Sequence, residues 1–273
     1  MSGNTEKLIG LAEEVAEKVL RGTKRLLPPV ARLCLTSTFL ENGVMLCLRW
    51  EEQGSYIQSV WGCGALISGA VVLILLIGQL EAASLWLCLV NLTHALHCLS
   101  DDVFAFQLIV YQLMFEMFFL MRTLAVGGGL LLLLAEVHTQ SRSMFAGVPS
   151  VAEGGPRQYM QLGGRVLLVL MFLTLLHFTV TSAFSVVQDA VGTALMVLVA
   201  VGLKTRLAAL TLVLWLCAVN LLENPFWMVH ELDFLQDFMR FNFFQTLSVI
   251  GGLLLLITLG PGGVSLDQHK KRW

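Results

Sequence analysis

The sequence predicts an all-α polytopic membrane protein with about eight transmembrane helices in two parallel four-helix repeats, preceded by an amphipathic helix. Hydrophobic residues make up 56% of the 273 residues and charged residues only 13%, whereas a soluble domain carries about 25% charged residues. Long apolar segments recur along the chain, with basic residues placed between them in a regular order. The lipid bilayer is therefore the expected solvent, and no basic, aromatic-rich patch indicates a nucleic-acid partner.

Residues 1–29 are predicted to form a cytosolic amphipathic helix. Residues 5–27 place apolar side chains on one helical face, namely Leu8, Leu11, Val15 and Val19. Pro28 and Pro29 are expected to end this helix, because proline lacks an N–H donor and clashes with the preceding turn. The stretch is charged throughout and lacks the apolar core of a signal peptide. Two placements are open for the helix, on the membrane surface or against the bundle.

Eight apolar segments follow, and each reaches or approaches the ~20 residues that a membrane-spanning helix needs. They cover residues 30–48, 60–78, 83–99, 107–135, 164–180, 186–203, 207–222 and 241–260. Six or seven spans are the alternatives, because the first, third and seventh segments are short or contain polar residues.

The basic residues test the number of spans, because lysine and arginine collect on the cytosolic side of a membrane. With eight spans, twelve of the seventeen basic residues fall on one face: before segment one, between segments four and five, between six and seven, and after segment eight. The opposite loops are acidic and include Asp101 and Asp102. Both termini are therefore expected in the cytosol.

An internal repeat supports two halves in the same orientation. The stretch Thr123–Leu134 returns as Thr246–Ile257, with nine of twelve positions identical. Its glycines are expected to let helices approach closely, or to allow a bent or gating helix. The repeats are placed at residues 30–135 and 161–260, with a cytosolic linker at 136–160 and a cytosolic tail at 261–273. The linker is either unstructured or a docking site for a cytosolic partner.

The residues give no catalytic, cofactor or metal site, so we expect a protein that is not an enzyme. The six cysteines show no Cys-x-x-Cys spacing. His94 and His97 lie one helical turn apart, but no carboxylate or cysteine at matching spacing completes a metal site nearby. Glu116 and Arg122 are predicted to be charges inside the membrane, where charge is costly. Structural pairing and a role in a ligand pocket are both open for them.

Several long stretches resemble one known family. They include RSMFAGVP, QYMQLGGRVLLVLMFLTLLHF, VGTALMVLVAVGLKTRLAALTLV, FFQTLSVIGGLLLL and LGPGGVS. These stretches are similar to the surfeit locus protein 4 family, and the resemblance runs almost from end to end. It implies a cargo receptor of the endoplasmic reticulum membrane. Such a receptor binds soluble secretory proteins in the lumen, loads them into COPII-coated vesicles and cycles back through the ER–Golgi intermediate compartment and cis-Golgi.

The tail fits that cycle. Lys270 and Lys271 lie fourth and third from the last residue of the sequence. With a cytosolic C-terminus, they match the dilysine retrieval signal that the COPI coat recognises. A short exposed tail presents two ammonium groups and a carboxylate at fixed spacing, which an acidic groove can bind. A basic tail also serves as a simple positive-inside anchor on other membrane proteins.

The resemblance also implies that cargo is selected through its N-terminal residues. An N-terminus brings an ammonium group and a short extended peptide, so a lumenal pocket is expected to offer a carboxylate and apolar or aromatic walls. The candidates are Glu41, Glu223, Asp101, Asp102, Trp50, Tyr56, Trp61 and Trp227. Glu41 and Glu223 are the first choices, because each lies near the lumenal end of a predicted helix. The alternative is that the carboxylates are merely solvated and the aromatic rings are interfacial.

Two other functions stay open. Parallel repeats and buried charge are also found in membrane transporters and lipid-handling proteins. Small four-helix membrane oxidoreductases share the appearance of each half, although we identify no redox ligands in this sequence. The cargoes, the forward-export signal and the oligomeric state are not given by the sequence.

Overall fold

The computed structural model describes residues 2–23, 25–88, 106–107, 109–111, 127–130, 132, 162–163, 166, 183–201, 205–229 and 233–259. These residues form helices and turns and contain no strand, so the predicted all-α class is confirmed. The long helices are α1 (Ser2–Thr23), α2 (Leu27–Leu48), α3 (Trp50–Trp61), α4 (Ala65–Cys88), α5 (Ala183–Val201), α6 (Thr205–Glu223) and α7 (Asp233–Leu259). A short 3-10 helix, Phe226–Met228, follows α6.

Two of the described helical segments are long and apolar enough to cross a membrane. Thr205–Met228 and Leu235–Leu259 contain 24 and 25 residues, and each has a mean hydropathy of 1.8. The helices Trp50–Trp61 and Ala65–Glu81 meet the same criterion only as a pair, with a bend of 118° between them. These helices fit a membrane protein of the predicted class. The eight spans and the two repeats extend over residues outside the described ranges and remain predictions.

The boundary between α1 and α2 differs from the expected one. We expected Pro28 and Pro29 to end the first helix, but α1 already ends at Thr23 and the prolines lie in the first turn of α2. The N–H groups of the first turn have no partner within the helix, so proline loses nothing there and its fixed φ favours the helix start. The prolines therefore begin the second helix.

The N-terminal helix contacts α6 through a different face from the predicted one. Ala16 is buried and Leu20 packs against the main core, whereas Leu11 and Val15 are 59% and 61% exposed. Ala16 and Leu20 are four residues apart, so they share one side of the helix. Leu11 and Val15 on the predicted apolar face are therefore exposed. The contact with the bundle is made by the adjacent face, which carries Ala16 and Leu20.

A sharp turn separates α3 from α4. Gly62 adopts a left-handed conformation (φ 60°) at the end of α3, and its N–H donates to the Gln58 carbonyl at 2.9 Å. Beyond this turn, α4 continues to Cys88 and passes through residues 79–82, which we expected to separate the second and third apolar segments. Gln79 lowers the local hydropathy there. It is accommodated inside the bundle because its Nε2 donates to Gln107 Oε1 at 2.6 Å.

The helices α2 and α7 pack in an antiparallel pair. A Cβ added at Gly251 would lie 2.6 Å from both the Ala31 carbonyl oxygen and the Leu35 nitrogen. One to two turns along, the hydroxyl oxygens of Thr38 and Ser248 are 2.5 Å apart, and Ser248 Oγ donates to the Leu35 carbonyl at 2.9 Å. Only glycine allows so close a backbone approach. The predicted packing role of this glycine is confirmed.

The two copies of the repeated motif meet at the same place. A Cβ added at Gly129 would lie 2.6 Å from Leu35 Cδ1 and 3.6 Å from the Gly252 Cα. Around this point lies the larger of the two apolar cores that the described residues form, and its fully buried side chains include Leu35, Phe39, Leu130, Leu212, Leu253 and Leu255. A smaller core beneath α3 contains Leu46, Ile57, Val72, Leu75 and Val110.

Candidate functional site

A network of charged side chains lies at the end of the α2–α7 pair that is remote from Pro28. Arg49 sits at the junction of α2 and α3, where its N–H donates to the Met45 carbonyl and its backbone turns the chain between the helices. Asp237 and Arg240 lie one turn apart in the first half of α7. Because α2 and α7 are antiparallel, the end of one helix places its charges beside the beginning of the other.

The two oxygens of Asp237 bind two different guanidinium groups. Arg240 Nη2 donates to Asp237 Oδ1 at 2.7 Å, and Arg49 Nη1 pairs with Asp237 Oδ2. On the other side of Arg240, its Nε lies 3.6 Å from Glu41 Oε1, and Arg49 Nη1 lies 3.6 Å from Glu52 Oε2. Three carboxyl groups thus surround two guanidinium groups.

Burial is unequal across this network. The Glu41 side chain is only 8% exposed, those of Asp237 and Arg240 are 24% and 25% exposed, and that of Glu52 is 71% exposed. Water screens the outer pair between Arg49 and Glu52, so that pair contributes little. Glu41 is the deepest charge, and its interaction with a cation is the least screened.

Aromatic rings occupy the next turn of α7. Phe243, three residues after Arg240, makes edge contacts with Phe226 and Trp227, with ring centroids 5.4 Å and 5.9 Å away. The Phe226 carbonyl accepts a hydrogen bond from Gln236 Nε2 at 3.3 Å, which ties the 3-10 helix to α7. Trp227 stays exposed at the edge of this aromatic cluster. The first half of α7 therefore carries a charged network and an aromatic surface on successive turns.

The structure brings some of the predicted cargo-contact residues together around α7. Glu41 reaches α7 through Arg240, and Trp227 reaches it through Phe243. Glu223 is exposed as the last residue of α6. These three belong to the elements that surround the charged network and the aromatic cluster.

The predicted aromatic residues of α3 form a separate group. Trp50, Tyr56 and Trp61 are all exposed. Trp61 Nε1 donates to the Val110 carbonyl at 2.9 Å, and the Tyr56 ring stacks on Tyr111 at 5.7 Å. A hydrogen bond therefore holds the Trp61 ring, ring stacking holds the Tyr56 ring, and Trp50 directly follows Arg49 in the sequence. The other predicted residues lie outside the described ranges, namely Asp101, Asp102, Glu116, Arg122, Lys270 and Lys271.

Sequence reasoning did not single out Arg49 and Arg240 as site residues. A signal was nevertheless present, because five of the seventeen basic residues fall outside the predicted cytosolic set: Arg32, Arg49, Arg122, Arg165 and Arg240. A basic residue on the acidic side of a membrane protein calls for a partner. Within the described ranges, no group of three histidine, cysteine or carboxylate side chains is arranged to hold a metal ion.

The comparisons with known proteins cover nearly the whole chain. A model of the SURF4 family matches residues 6–273. The chain belongs to the SURF4 family. A surfeit locus protein 4 homolog of Drosophila melanogaster is 46% identical over 265 residues, which cover 97% of this chain and 97% of the relative.

More distant relatives of this chain occur in two yeasts. A surfeit locus protein 4 homolog of Schizosaccharomyces pombe is 33% identical and is aligned over 94% of this chain and 86% of its own length. The ER-derived vesicles protein ERV29 of Saccharomyces cerevisiae is 30% identical over 91% of this chain and 78% of its own length. No solved structure matches the chain.

Proposed function

We propose that this chain is a cargo receptor of the endoplasmic reticulum membrane, which binds soluble secretory proteins in the lumen and loads them into export vesicles. The observation that carries the proposal is the 30% identity, over 91% of the chain, to a yeast protein named for ER-derived vesicles. Apolar helices long enough to cross a membrane support the location. Catalysis plays no part in this function.

We place the cargo contact at the charged network and aromatic cluster of α7. A cargo N-terminus carries an ammonium group, and the network has one more carboxyl group than guanidinium groups. A charge-assisted hydrogen bond contributes roughly 1.5–3 kcal/mol, and partial burial at Glu41 limits screening. Trp227 and the phenylalanine rings beside it offer an apolar wall for the side chains that follow the ammonium group.

The other predicted residues are proposed as further cargo contacts outside the α7 cluster. Glu223 adds a carboxylate just before the aromatic 3-10 helix, and Trp50, Tyr56 and Trp61 add rings on α3. Asp101 and Asp102 complete the set of proposed lumenal contacts. These contacts lie at the lumenal face of the membrane if eight spans and cytosolic termini hold.

The proposed transport cycle depends on the cytosolic tail. Lys270 and Lys271 form the dilysine signal that COPI binds, and COPII drives the forward step at a site that we do not assign. The antiparallel α2–α7 pair supports one part of this arrangement, since it puts Leu27 and Leu259 at the same end of the bundle. If the first residue of α2 lies on the cytosolic side, the last residue of α7 therefore lies on the cytosolic side as well.

Peptide binding to the full-length protein in lipid nanodiscs tests the proposal. A peptide with the mature N-terminal sequence of a secreted protein is compared with the same peptide acetylated at its N-terminus. We expect the free amine to bind at least about tenfold more tightly, because acetylation removes the charge. Equal binding of both peptides would overturn N-terminal recognition. Solute or lipid flux in proteoliposomes, without peptide binding, would instead favour a transporter or lipid-handling protein.

A further inference from the structure

We propose that Asp237 is a positioning residue, which holds the Arg240 guanidinium so that Glu41 stays available to the ammonium group of the cargo. The inference rests on the proposed function and assigns a separate role to each of three residues in the network. Glu41 contacts the cargo, Arg240 supplies a nearby compensating charge, and Asp237 acts through Arg240.

The distances within the network carry this assignment. Arg240 donates closely to Asp237, with 2.7 Å between Nη2 and Oδ1, whereas its Nε remains 3.6 Å from Glu41 Oε1. Arg240 Nε is also buried and has no hydrogen-bond partner. A guanidinium group is a rigid planar fork, so orienting one edge on Asp237 fixes where the other edge lies. Glu41 therefore has a compensating charge nearby but receives no hydrogen bond from it.

The packing of α2 on α7 keeps this gap. Thr38, one turn before Glu41, donates to the Phe244 carbonyl at 3.1 Å, and Phe244 lies one turn after Arg240. The Thr38 hydroxyl also contacts Ser248. These bonds set the register of the two helices, so the helices do not slide to bring Glu41 and Arg240 together. Rotation of the Arg240 side chain away from Asp237 closes the gap.

A primary ammonium group suits the Glu41 carboxylate. It is compact and carries three donors, whereas a second guanidinium group requires a wider planar site. The ammonium group binds the carboxylate while Arg240 stays on Asp237.

Substitutions in the full-length protein, with the free and acetylated peptides as probes, test the role of Asp237. In Asp237→Asn, Arg240 loses its ionic partner and turns fully to Glu41, so we expect free-peptide affinity to fall on the order of tenfold. Adding Arg240→Gln removes the competing cation, and the double variant is expected to regain the preference for the free peptide. Arg21→Gln changes the same residue type in an exposed pair with Glu17 on α1, outside the network, so it serves as the matched control and is expected to bind like the wild type.

The outcomes separate this inference from the proposed function. If the wild type does not distinguish free from acetylated peptide, the proposed function fails. If the wild type does distinguish them but Asp237→Asn binds equally well, or the double variant stays as weak as the single one, the positioning role is wrong. If Asp237→Asn does not fold, the single variant Arg240→Gln tests the inference. We expect Arg240→Gln to keep the preference for the free peptide. Loss of free-peptide binding in this variant would show that Arg240 itself holds the cargo and would overturn the inference.

Discussion

The hydroxyl oxygens of Thr38 and Ser248 lie 2.5 Å apart and join α2 to α7 across 210 residues of sequence. Both side chains are buried, and each hydroxyl also lies within hydrogen-bond distance of a carbonyl of the opposite helix, Thr38 of Phe244 and Ser248 of Leu35, so two protons are shared among these three contacts. Hydrogen bonds between helices substitute for the hydrophobic force that lipid does not provide. This pair fixes the register in which the charged residues meet.

Thr38→Val is therefore expected to destabilise the protein. The change keeps the shape but leaves Ser248 and the Phe244 carbonyl with one bond fewer, at a cost of about 1–3 kcal/mol. Thermal unfolding of the detergent-solubilised protein measures the loss. Thr211→Val is the control, because that exposed hydroxyl bonds only to carbonyls of its own helix. Equal effects of the two substitutions would contradict a special role for the Thr38–Ser248 contact.

Gly251→Ala adds only one methyl group but is expected to destabilise the protein. The new methyl group would lie 2.6 Å from backbone atoms of Ala31 and Leu35, so the two helices must separate. Gly69→Ala in α4 meets nothing within 4 Å, and alanine is favoured over glycine in a helix by about 1 kcal/mol. We expect a lower melting temperature for the first variant and an equal or higher one for the second. Unchanged melting of Gly251→Ala would argue against the close approach.

Glu41→Gln and Glu223→Gln are expected to weaken cargo binding to different extents, although the sequence made both glutamates first choices. The Glu41 side chain is 8% exposed, and its loss of charge is expected to weaken free-peptide binding ~10- to 150-fold. Glu223 is exposed, so solvent screens its contacts and we expect a change of no more than about fivefold. Co-precipitation of a secreted cargo with each variant measures this. A larger effect at Glu223 would move the site toward the end of α6.

Replacing Lys270 and Lys271 by serine is expected to move the protein forward into the Golgi and beyond. The substitution removes both ammonium groups of the proposed retrieval signal, and the fold is expected to remain intact. Microscopy of the steady-state location measures the shift. Extra residues after Trp273 are expected to act in the same way, because they displace the free carboxylate. An unchanged location for both variants would show that these lysines serve only as an anchor.

Composition and hydropathy predicted the helical class and several helix limits. The predicted segment 207–222 corresponds to α6 at Thr205–Glu223, and 186–203 to α5 at Ala183–Val201. The start of α7 was missed by eight residues, since 241 was expected and the helix begins at Asp233. Backbone hydrogen bonds extend a helix regardless of polarity, and the polar first turns of α7 lower the hydropathy without ending it.

The charged network was only partly predictable. A carboxylate near the end of the first apolar segment pointed to Glu41, but its pairing with Arg240 joins residues that are far apart in the sequence. Such pairing depends on the register of α2 on α7, which hydroxyl and glycine contacts set. The sharp bend after α3 was also missed, because the hydropathy of Trp61 and its neighbours merges with that of α4.

The packing of α2 against α7 also has a consequence for synthesis on the ribosome. Thr38 and Ser248 are separated by 210 positions in the sequence. At a translation rate of about 5–20 residues per second, Ser248 is synthesised roughly 10–40 s after Thr38. During that interval α2 is already made, while the buried hydroxyl of Thr38 and the carboxylate of Glu41 have no partner from α7. A nascent chain therefore lacks these contacts until α7 is made, and a chain truncated before α7 never forms them.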